Sequence, residues 1–147
     1  MRNCSSQMQL TRAADYGVRV MIHLSTLPAG ERILLPSLAR ATDVPKSFLS
    51  KILQALSRAQ LISSKRGPVG GFEILSQGRA ASIVEIIEAI DGPIRLNLCV
   101  QNGRSCSRKP SCPAHPFWIQ AQMAMLEVLN TAKVSELGES IGKRSSE

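Results

Sequence analysis

The sequence lacks the features that mark membrane, secreted or catalytic proteins. No apolar run approaches the roughly 20 residues needed to cross a bilayer, and residues 1–7 have no apolar signal-peptide core. We therefore expect a cytoplasmic protein with no membrane partner. Only two histidines occur, His23 and His115, and we find no Ser/His/Asp arrangement, phosphate-binding loop or paired carboxylate. The sequence predicts that the protein is not an enzyme.

Aromatic residues are also scarce, at 3% of the 147 residues. The apolar fraction is 44%, which is enough for a core built from Leu, Ile, Val and Ala. This length suggests one domain with an attached element.

Negative charge is nearly absent from one segment. Residues 32–79 contain eight Lys or Arg but only Asp43 and Glu73 as acids, so the segment contributes +6 of the net charge of +7. A surface that binds nucleic acid needs such an excess, although a solvated basic face would look the same.

Three helices are predicted in the first 60 residues, over 11–27, 36–41 and 45–59. The third has an apolar inner face and a polar, basic outer face, which favours a helix-turn-helix. The inner face comprises Leu49, Ile52, Leu53 and Leu56, and the outer face comprises Lys46, Ser47, Ser50, Lys51 and Gln54.

A basic hairpin is predicted directly after the third helix. Residues 61–66 and 72–75 have strand character, and the glycine-rich stretch 67–71 separates them. Lys65 and Arg66 lie at its base, where they could reach phosphates or a minor groove. The order of elements favours a DNA-binding wing over a plain hairpin with solvated charges.

The C-terminal half is predicted to contain two more helices. Ser82 and Glu85 have the spacing of a capping box that starts a helix through Ile90. The last helix, from about Pro116 to Ala132, is apolar on several sides and therefore needs a second protomer as its neighbour.

The expected fold is mainly α, a winged helix-turn-helix with a two-stranded β wing and a long C-terminal dimerisation helix. We divide the chain into a flexible N-terminus (1–7), a DNA-binding domain (8–80), a helix with a cysteine-bearing loop (81–114), a dimerisation helix (115–140) and a disordered tail (141–147).

Three of the four cysteines are concentrated in that loop. The pattern is Cys99-x6-Cys106-x5-Cys112-x2-His115. A zinc site usually has a tight C-x2–4-C knuckle, which is absent, and longer spacers can surround a larger cluster. The pattern favours an iron–sulfur cluster, with structural zinc and ligand-free redox thiols as alternatives.

Three stretches together resemble the Rrf2 superfamily of iron–sulfur winged-helix transcription regulators, which includes IscR-like, NsrR-like and RirA-like proteins. They are residues 10–19, residues 57–75 with the wing sequence Arg66-Gly67-Pro68-Val69-Gly70-Gly71-Phe72, and the three-cysteine loop. The resemblance covers about residues 8 to 140. Cys4 lies upstream of it and is treated as a bystander.

The resemblance implies a homodimer that binds a double-stranded DNA operator, usually as a repressor. A 2Fe–2S or 4Fe–4S cluster on the three cysteines would tune its DNA affinity in response to redox state, nitric oxide or iron supply. Ser50 stands where IscR-like proteins have an acidic base-reading residue, so operator preference cannot be carried over. The expected DNA-contacting residues are Lys46, Ser47, Phe48, Ser50, Lys51, Lys65, Arg66 and Gly67.

The resemblance offers two fourth ligands. His115 matches the histidine of IscR-like proteins, and Asp15 matches the first-helix aspartate that the other protomer supplies in NsrR-like proteins. His115 could instead cap a helix or face solvent, and Asp15 could form an ion pair on the helix surface. The six-residue first spacer differs from the five of IscR-like and NsrR-like proteins and the seven of RirA-like proteins, so the subtype stays open.

Overall fold

The computed structural model describes residues 10–96 and 112–145. The expected flexible N-terminus and most of the cysteine-bearing loop, with Cys4, Cys99 and Cys106, lie outside the described residues. The elements are α1 (Arg12–Thr26), α2 (Leu35–Thr42), α3 (Lys46–Arg58), β1 (Ile62–Lys65), β2 (Gly71–Ile74), α4 (Ser76–Ala80), α5 (Ile83–Asp91), α6 (His115–Thr131) and α7 (Val134–Arg144).

Helix α1 is the central element and packs against α3, α5 and α7. Thr11 caps its N-terminus by accepting a hydrogen bond from the Ala14 amide at 3.1 Å. The helix approaches α5 closely, since a Cβ at Gly17 would collide with the Ile90 side chain. Its buried residues are Ala14, Gly17, Val20, Met21 and Leu24.

Helices α2 and α3 form the predicted helix-turn-helix. Asp43 adopts the left-handed conformation, with φ 53°, in the turn between them. The Val44 amide donates to the Ala39 carbonyl at 3.2 Å, which closes the end of α2. The predicted inner face of α3 is confirmed, because all four of its apolar residues are buried in the core.

Strands β1 and β2 form the predicted two-stranded wing, antiparallel with Ile62 opposite Ile74. Ile33 forms a bridge to Phe72, so the chain before α2 extends the hairpin on one side. Gly71 is required there: its φ is 120°, and a Cβ would lie 2.7 Å from the Ile33 carbonyl oxygen. The winged helix-turn-helix prediction is therefore confirmed.

Helices α4 and α5 attach the wing to the core. The predicted capping box of α5 is present, with the Ser82 amide 2.7 Å from the Glu85 carboxylate. Helix α4 was not predicted. From α4, the Arg79 guanidinium donates to the Ser25 and Leu27 carbonyls at 2.9 and 2.7 Å, at the end of α1.

The C-terminal region differs from the expected single helix followed by a disordered tail. Helix α6 ends at Thr131, because the Ala132 carbonyl accepts a hydrogen bond from the Ile83 amide and the Val134 amide donates to the Ala81 carbonyl. A second helix, α7, then packs on α1, where Gly138 lies against Ser25. This helix includes residues 141–144, which we had assigned to the tail. Among the described residues, no helix is long and apolar enough to cross a membrane.

Candidate DNA interface and cysteine site

The outer face of α3 is open to solvent. Lys46, Ser47, Ser50 and Lys51 are all exposed, as the amphipathic pattern predicted. The Ser50 hydroxyl donates to the Lys46 carbonyl at 3.1 Å, so its proton is already committed within the helix. This row of hydroxyl and ammonium groups is suited to contacting phosphates and base edges in a major groove.

Phe48 differs from the other predicted DNA contacts on α3. Its ring lies edge-on to Tyr16 of α1, with centroids 5.4 Å apart, and is 39% exposed. The Arg19 guanidinium covers the Tyr16 ring at 5.3 Å and donates to the Thr42 carbonyl at 3.3 Å. Phe48 therefore contributes to holding the start of α3 against α1, besides presenting an exposed edge.

The wing carries two cations that form no ion pair with any described residue. Lys65 is opposite Gly71 in the last strand pair, so Lys65 and Arg66 are exposed beside the tip and not at the predicted base, and Gly67 begins the tip with φ 103°. Glu73 of the wing forms an ion pair with Arg32 at 3.4 Å, which neutralises its charge locally. Since the other acid of the basic segment, Asp43, lies in the turn before α3, positive charge prevails on the wing.

A groove of about 700 Å³ separates α3 from the wing. Four of its polar residues are absent from the predicted DNA contacts, and two of these, Gln54 and Arg58, lie on the same face of α3 as Ser50. The signal for them was available, because they follow Ser50 at successive four-residue steps on the same helix face. The groove is lined by Leu35, Ser50, Leu53, Gln54, Ser57, Arg58, Ser64, Lys65, Arg66 and Phe72.

The described part of the cysteine site consists of Cys112 and His115. Cys112 is a half-buried free thiol, and its carbonyl accepts from the His115 amide at 3.2 Å, at the start of α6. The His115 Nδ1 atom is buried and has no hydrogen-bond partner among the described residues. Such an orphaned buried nitrogen is rare in proteins and calls for a partner, such as a metal.

Asp15, the other predicted fourth ligand, lies on the exposed side of α1. Its carboxylate pairs with Arg19 at 3.3 Å, and its side chain is 65% exposed. Within residues 10–96 and 112–145, no three His, Cys, Asp or Glu side chains lie close enough to hold a metal. Cys99 and Cys106 are not among those residues, so the described part contains only some of the predicted ligands.

Both ends of the cysteine segment are attached to α6. The Leu96 amide donates to the Gln122 side-chain carbonyl at 2.9 Å, and the Cys112 carbonyl accepts from the His115 amide in the first turn of the helix. Beside Leu96 is a cleft of about 510 Å³ that also contacts Thr11 and Asp91. The Thr11 hydroxyl donates to the Asp91 carboxylate at 2.7 Å, which joins the start of α1 to the end of α5.

Helix α6 exposes most of its apolar surface. It has no buried residue, although it packs on α5. Met123 and Val128 are 65% and 68% exposed, and large apolar side chains are exposed along the length of the helix. Such an extended apolar surface is unusual in a protein that stays monomeric. The exposed apolar residues are Phe117, Trp118, Ile119, Met123 and Val128.

Known proteins resemble the chain over most of its length. A family model described as Rrf2, iron-dependent transcriptional regulator, matches residues 10–140. A protein of Mycobacterium tuberculosis, named as an HTH-type transcriptional regulator, is 29% identical over 130 residues, which is 88% of this chain and 81% of the relative. A protein of Azotobacter vinelandii with the same type of name is 25% identical, over 88% of this chain and 79% of its own.

Solved structures show the same fold. Oxidized CymR of Staphylococcus aureus has a TM-score of 0.69 at 25% identity and covers 89% of this chain and 96% of its own. CymR of B. subtilis, described as its global cysteine regulator, has a TM-score of 0.72 at 24% identity, with coverages of 90% and 97%. T. potens IscR has a TM-score of 0.68 at 19% identity, with coverages of 90% and 88%.

The matched residues include the whole winged helix and both C-terminal helices up to Ser140. The chain therefore belongs to the Rrf2 family of DNA-binding transcriptional regulators, and it is not an enzyme.

Proposed function

We propose that the protein is a homodimeric repressor whose operator affinity is controlled by an iron–sulfur cluster on Cys99, Cys106, Cys112 and His115. The observation that carries the proposal is the buried Nδ1 of His115, three residues after Cys112, which has no hydrogen-bond partner among the described residues. Burying a nitrogen without a partner costs about 1–3 kcal/mol, which coordination would offset. Thiolates together with an imidazole are a donor set that iron–sulfur clusters use.

When bound, the cluster would supply a centre that reacts with oxidants and nitric oxide. The residues of the chain itself give this centre a route to the DNA-binding face. Leu96 and Cys112 attach the two ends of the cysteine segment to α6, which packs on α5, and α5 packs on α1 and α3. A cluster bound to this segment would thereby affect the packing of α6 and the position of α3.

The exposed apolar face of α6 supports the homodimer. A two-fold pair of α6 helices would cover Met123 and Val128 and would fix the distance between the two α3 helices. That distance must match successive major grooves, which lie about 34 Å apart. A change in α6 packing would therefore change operator affinity.

Asp15 is the other proposed ligand, and it would come from the partner protomer. It would have to exchange its ion pair with Arg19 for the cluster. Arg19 also contacts Tyr16 and Thr42, and Tyr16 contacts Phe48. Such an exchange would therefore alter the packing around Phe48. We favour His115, because its buried nitrogen has no other partner among the described residues.

Anaerobic reconstitution tests the proposal. We expect visible absorbance with iron and acid-labile sulfide, and operator binding that falls when nitric oxide is added. His115→Ala should disturb the spectrum and the DNA response, whereas Asp15→Ala should leave both unchanged. The reverse result would assign the ligand to Asp15. A colourless zinc protein with constant operator binding would refute the cluster and support a structural metal.

A second candidate is thiol-based regulation without a metal. Two observations favour it. Oxidized CymR of Staphylococcus aureus is 25% identical to this chain, and the thiol of Cys112 is free and half-buried. In metal-free protein, an oxidant should then change operator binding, and dithiothreitol should reverse the change. Cys112→Ser should abolish this response if the thiol takes part.

A further inference from the structure

The groove between α3 and the wing has the charge and chemistry of an anion site. Its polar lining consists of groups that can donate hydrogen bonds, and no acidic side chain of residues 10–96 or 112–145 contributes to it. Arg58 extends from the last turn of α3, and Lys65 and Arg66 extend from the wing opposite. The described acid nearest in sequence to its lining, Glu73, is paired with Arg32.

The position of the groove determines which part of DNA can enter it. The outer face of α3 would present its first turns to a major groove, and Arg66, the expected minor-groove contact of the wing, would then lie beside the adjacent minor groove. One phosphodiester strand separates a major groove from the next minor groove. That strand must pass between α3 and the wing, where the groove lies.

We propose that Arg58 and Lys65 clamp this strand from opposite sides, with Gln54, Ser57 and Ser64 donating to its phosphates. Ser50, Gln54 and Arg58 follow one another at four-residue steps, so they extend about 12 Å along α3. The residues that can read bases are then those of the first two turns, from Lys46 to Lys51.

The inference rests on DNA binding by the family and not on the cluster. It separates two roles on one helix, a first half that selects sequence and a second half that supplies affinity. Phosphate contacts position a protein on DNA without reading its sequence, so loss of Arg58 should weaken all sites alike.

Arg58→Ala tests the clamp, with Arg144→Ala as its matched control. Both arginines are exposed in the last turn of a helix, where each also favours the helix dipole, but Arg144 does not line the groove. A preferred operator is first selected from random DNA with the wild-type protein. Affinity is then measured by fluorescence anisotropy from 50 to 300 mM KCl on this operator and its single-base variants.

We expect Arg58→Ala to lower affinity about tenfold on every sequence. The slope of log affinity against log salt should fall by about 1.8, because each proposed dimer loses two phosphate contacts and each contact contributes about 0.9. Arg58→Lys should keep most of the affinity and the slope, because a point charge suffices for phosphate. Arg144→Ala should behave as wild type.

Two results would overturn the clamp. If Arg58→Ala abolishes discrimination at one base pair and leaves the salt slope unchanged, Arg58 reads a base. If it does no more than Arg144→Ala, the groove does not hold the strand. Circular dichroism melting of each variant shows whether the fold is retained, and Arg58→Gln, which removes the charge but keeps a polar side chain, replaces Arg58→Ala if that variant is unstable. The salt titrations are carried out on both metal-free and reconstituted protein, so that failure of the clamp can be distinguished from failure of the cluster proposal.

Discussion

Helices α3 and α6 show two ways in which this chain uses an apolar helix. In α3 the apolar residues lie on one face, and Leu49, Ile52, Leu53 and Leu56 are all buried within the protomer. In α6 no residue is buried, and apolar side chains such as Met123 remain exposed. The first helix is completed by its own chain, whereas the second needs a neighbour.

The difference assigns the two helices to different partners. Because the inner face of α3 is fixed in the core, its polar outer face is presented rigidly, as recognition of DNA requires. An apolar surface like that of α6 gains free energy when it is covered, at about 25 cal/mol per Å² of buried area. In the proposed homodimer, a second copy of α6 would supply such a cover with two-fold symmetry.

The largest effect should come from placing a charge on the exposed face of α6. Val128→Asp would bury a carboxylate in the proposed dimer interface, at a cost of several kcal/mol per protomer. We expect a monomer by sedimentation equilibrium and a loss of operator affinity of at least 100-fold. Ile141→Asp is the control, since Ile141 is also exposed but lies on α7. If Val128→Asp stays dimeric, α6 does not form the interface.

For the stability of a single protomer, we expect the opposite: a substitution in α3 should cost more than one in α6. Leu56→Ala should lower the free energy of unfolding by about 2–5 kcal/mol, because Leu56 is fully buried. Phe117→Ala should have little effect in the monomeric Val128→Asp background, because Phe117 is 67% exposed. Urea denaturation in that background measures both. A cost for Phe117→Ala as large as that for Leu56→Ala would show that α6 is buried in the protomer.

Sequence patterns sufficed for the winged helix because its signals are local. The inner face of α3, the wing glycines and the Ser82 capping box each depend on neighbours a few residues away. The end of α6 could not be read in this way. It is fixed by two hydrogen bonds to residues about 50 positions earlier: the Ala132 carbonyl accepts from the Ile83 amide, and the Val134 amide donates to the Ala81 carbonyl.

The site shows the same limit. Exposure of Lys46, Ser47 and Lys51 followed from helical periodicity, but the groove that includes Arg58 arises only when α3 and the wing are placed together. The contact between Phe48 and Tyr16 likewise joins residues 32 positions apart. The three-cysteine pattern indicated which side chains could be ligands. That the His115 Nδ1 atom is buried without a hydrogen-bond partner among the described residues is seen only in the structure.

Helix α5 supports both regions, so weakening it should affect them together. Ser82 caps α5 and is fully buried, and Ser82→Ala removes the side-chain half of the capping box. We expect a loss of about 1 kcal/mol in the free energy of unfolding. Ser76→Ala, at the exposed start of α4 without a side-chain cap bond, is the control and should cost less. Urea denaturation distinguishes the two variants.

The smallest effect should be a pH dependence confined to the α1 region. Burial lowers the pKa of His23 below its ordinary value of 6.5, in a cleft that His23 shares with Arg19 of α1, Thr42 of α2 and Ile141 of α7. Because folding favours the neutral imidazole, this contribution to stability is present above pH 6.5 and is lost as the pH falls through the lowered pKa.

Urea denaturation at pH 7.5 and 5.5 should therefore show a larger loss of stability for wild type than for His23→Gln. The dimer mass should be the same at both pH values, because His23 lies on α1 and α6 does not line its cleft. An equal loss of stability in both proteins would assign the pH dependence to other groups. A dimer that dissociates at pH 5.5 in wild type but not in His23→Gln would instead couple the α1 region to α6.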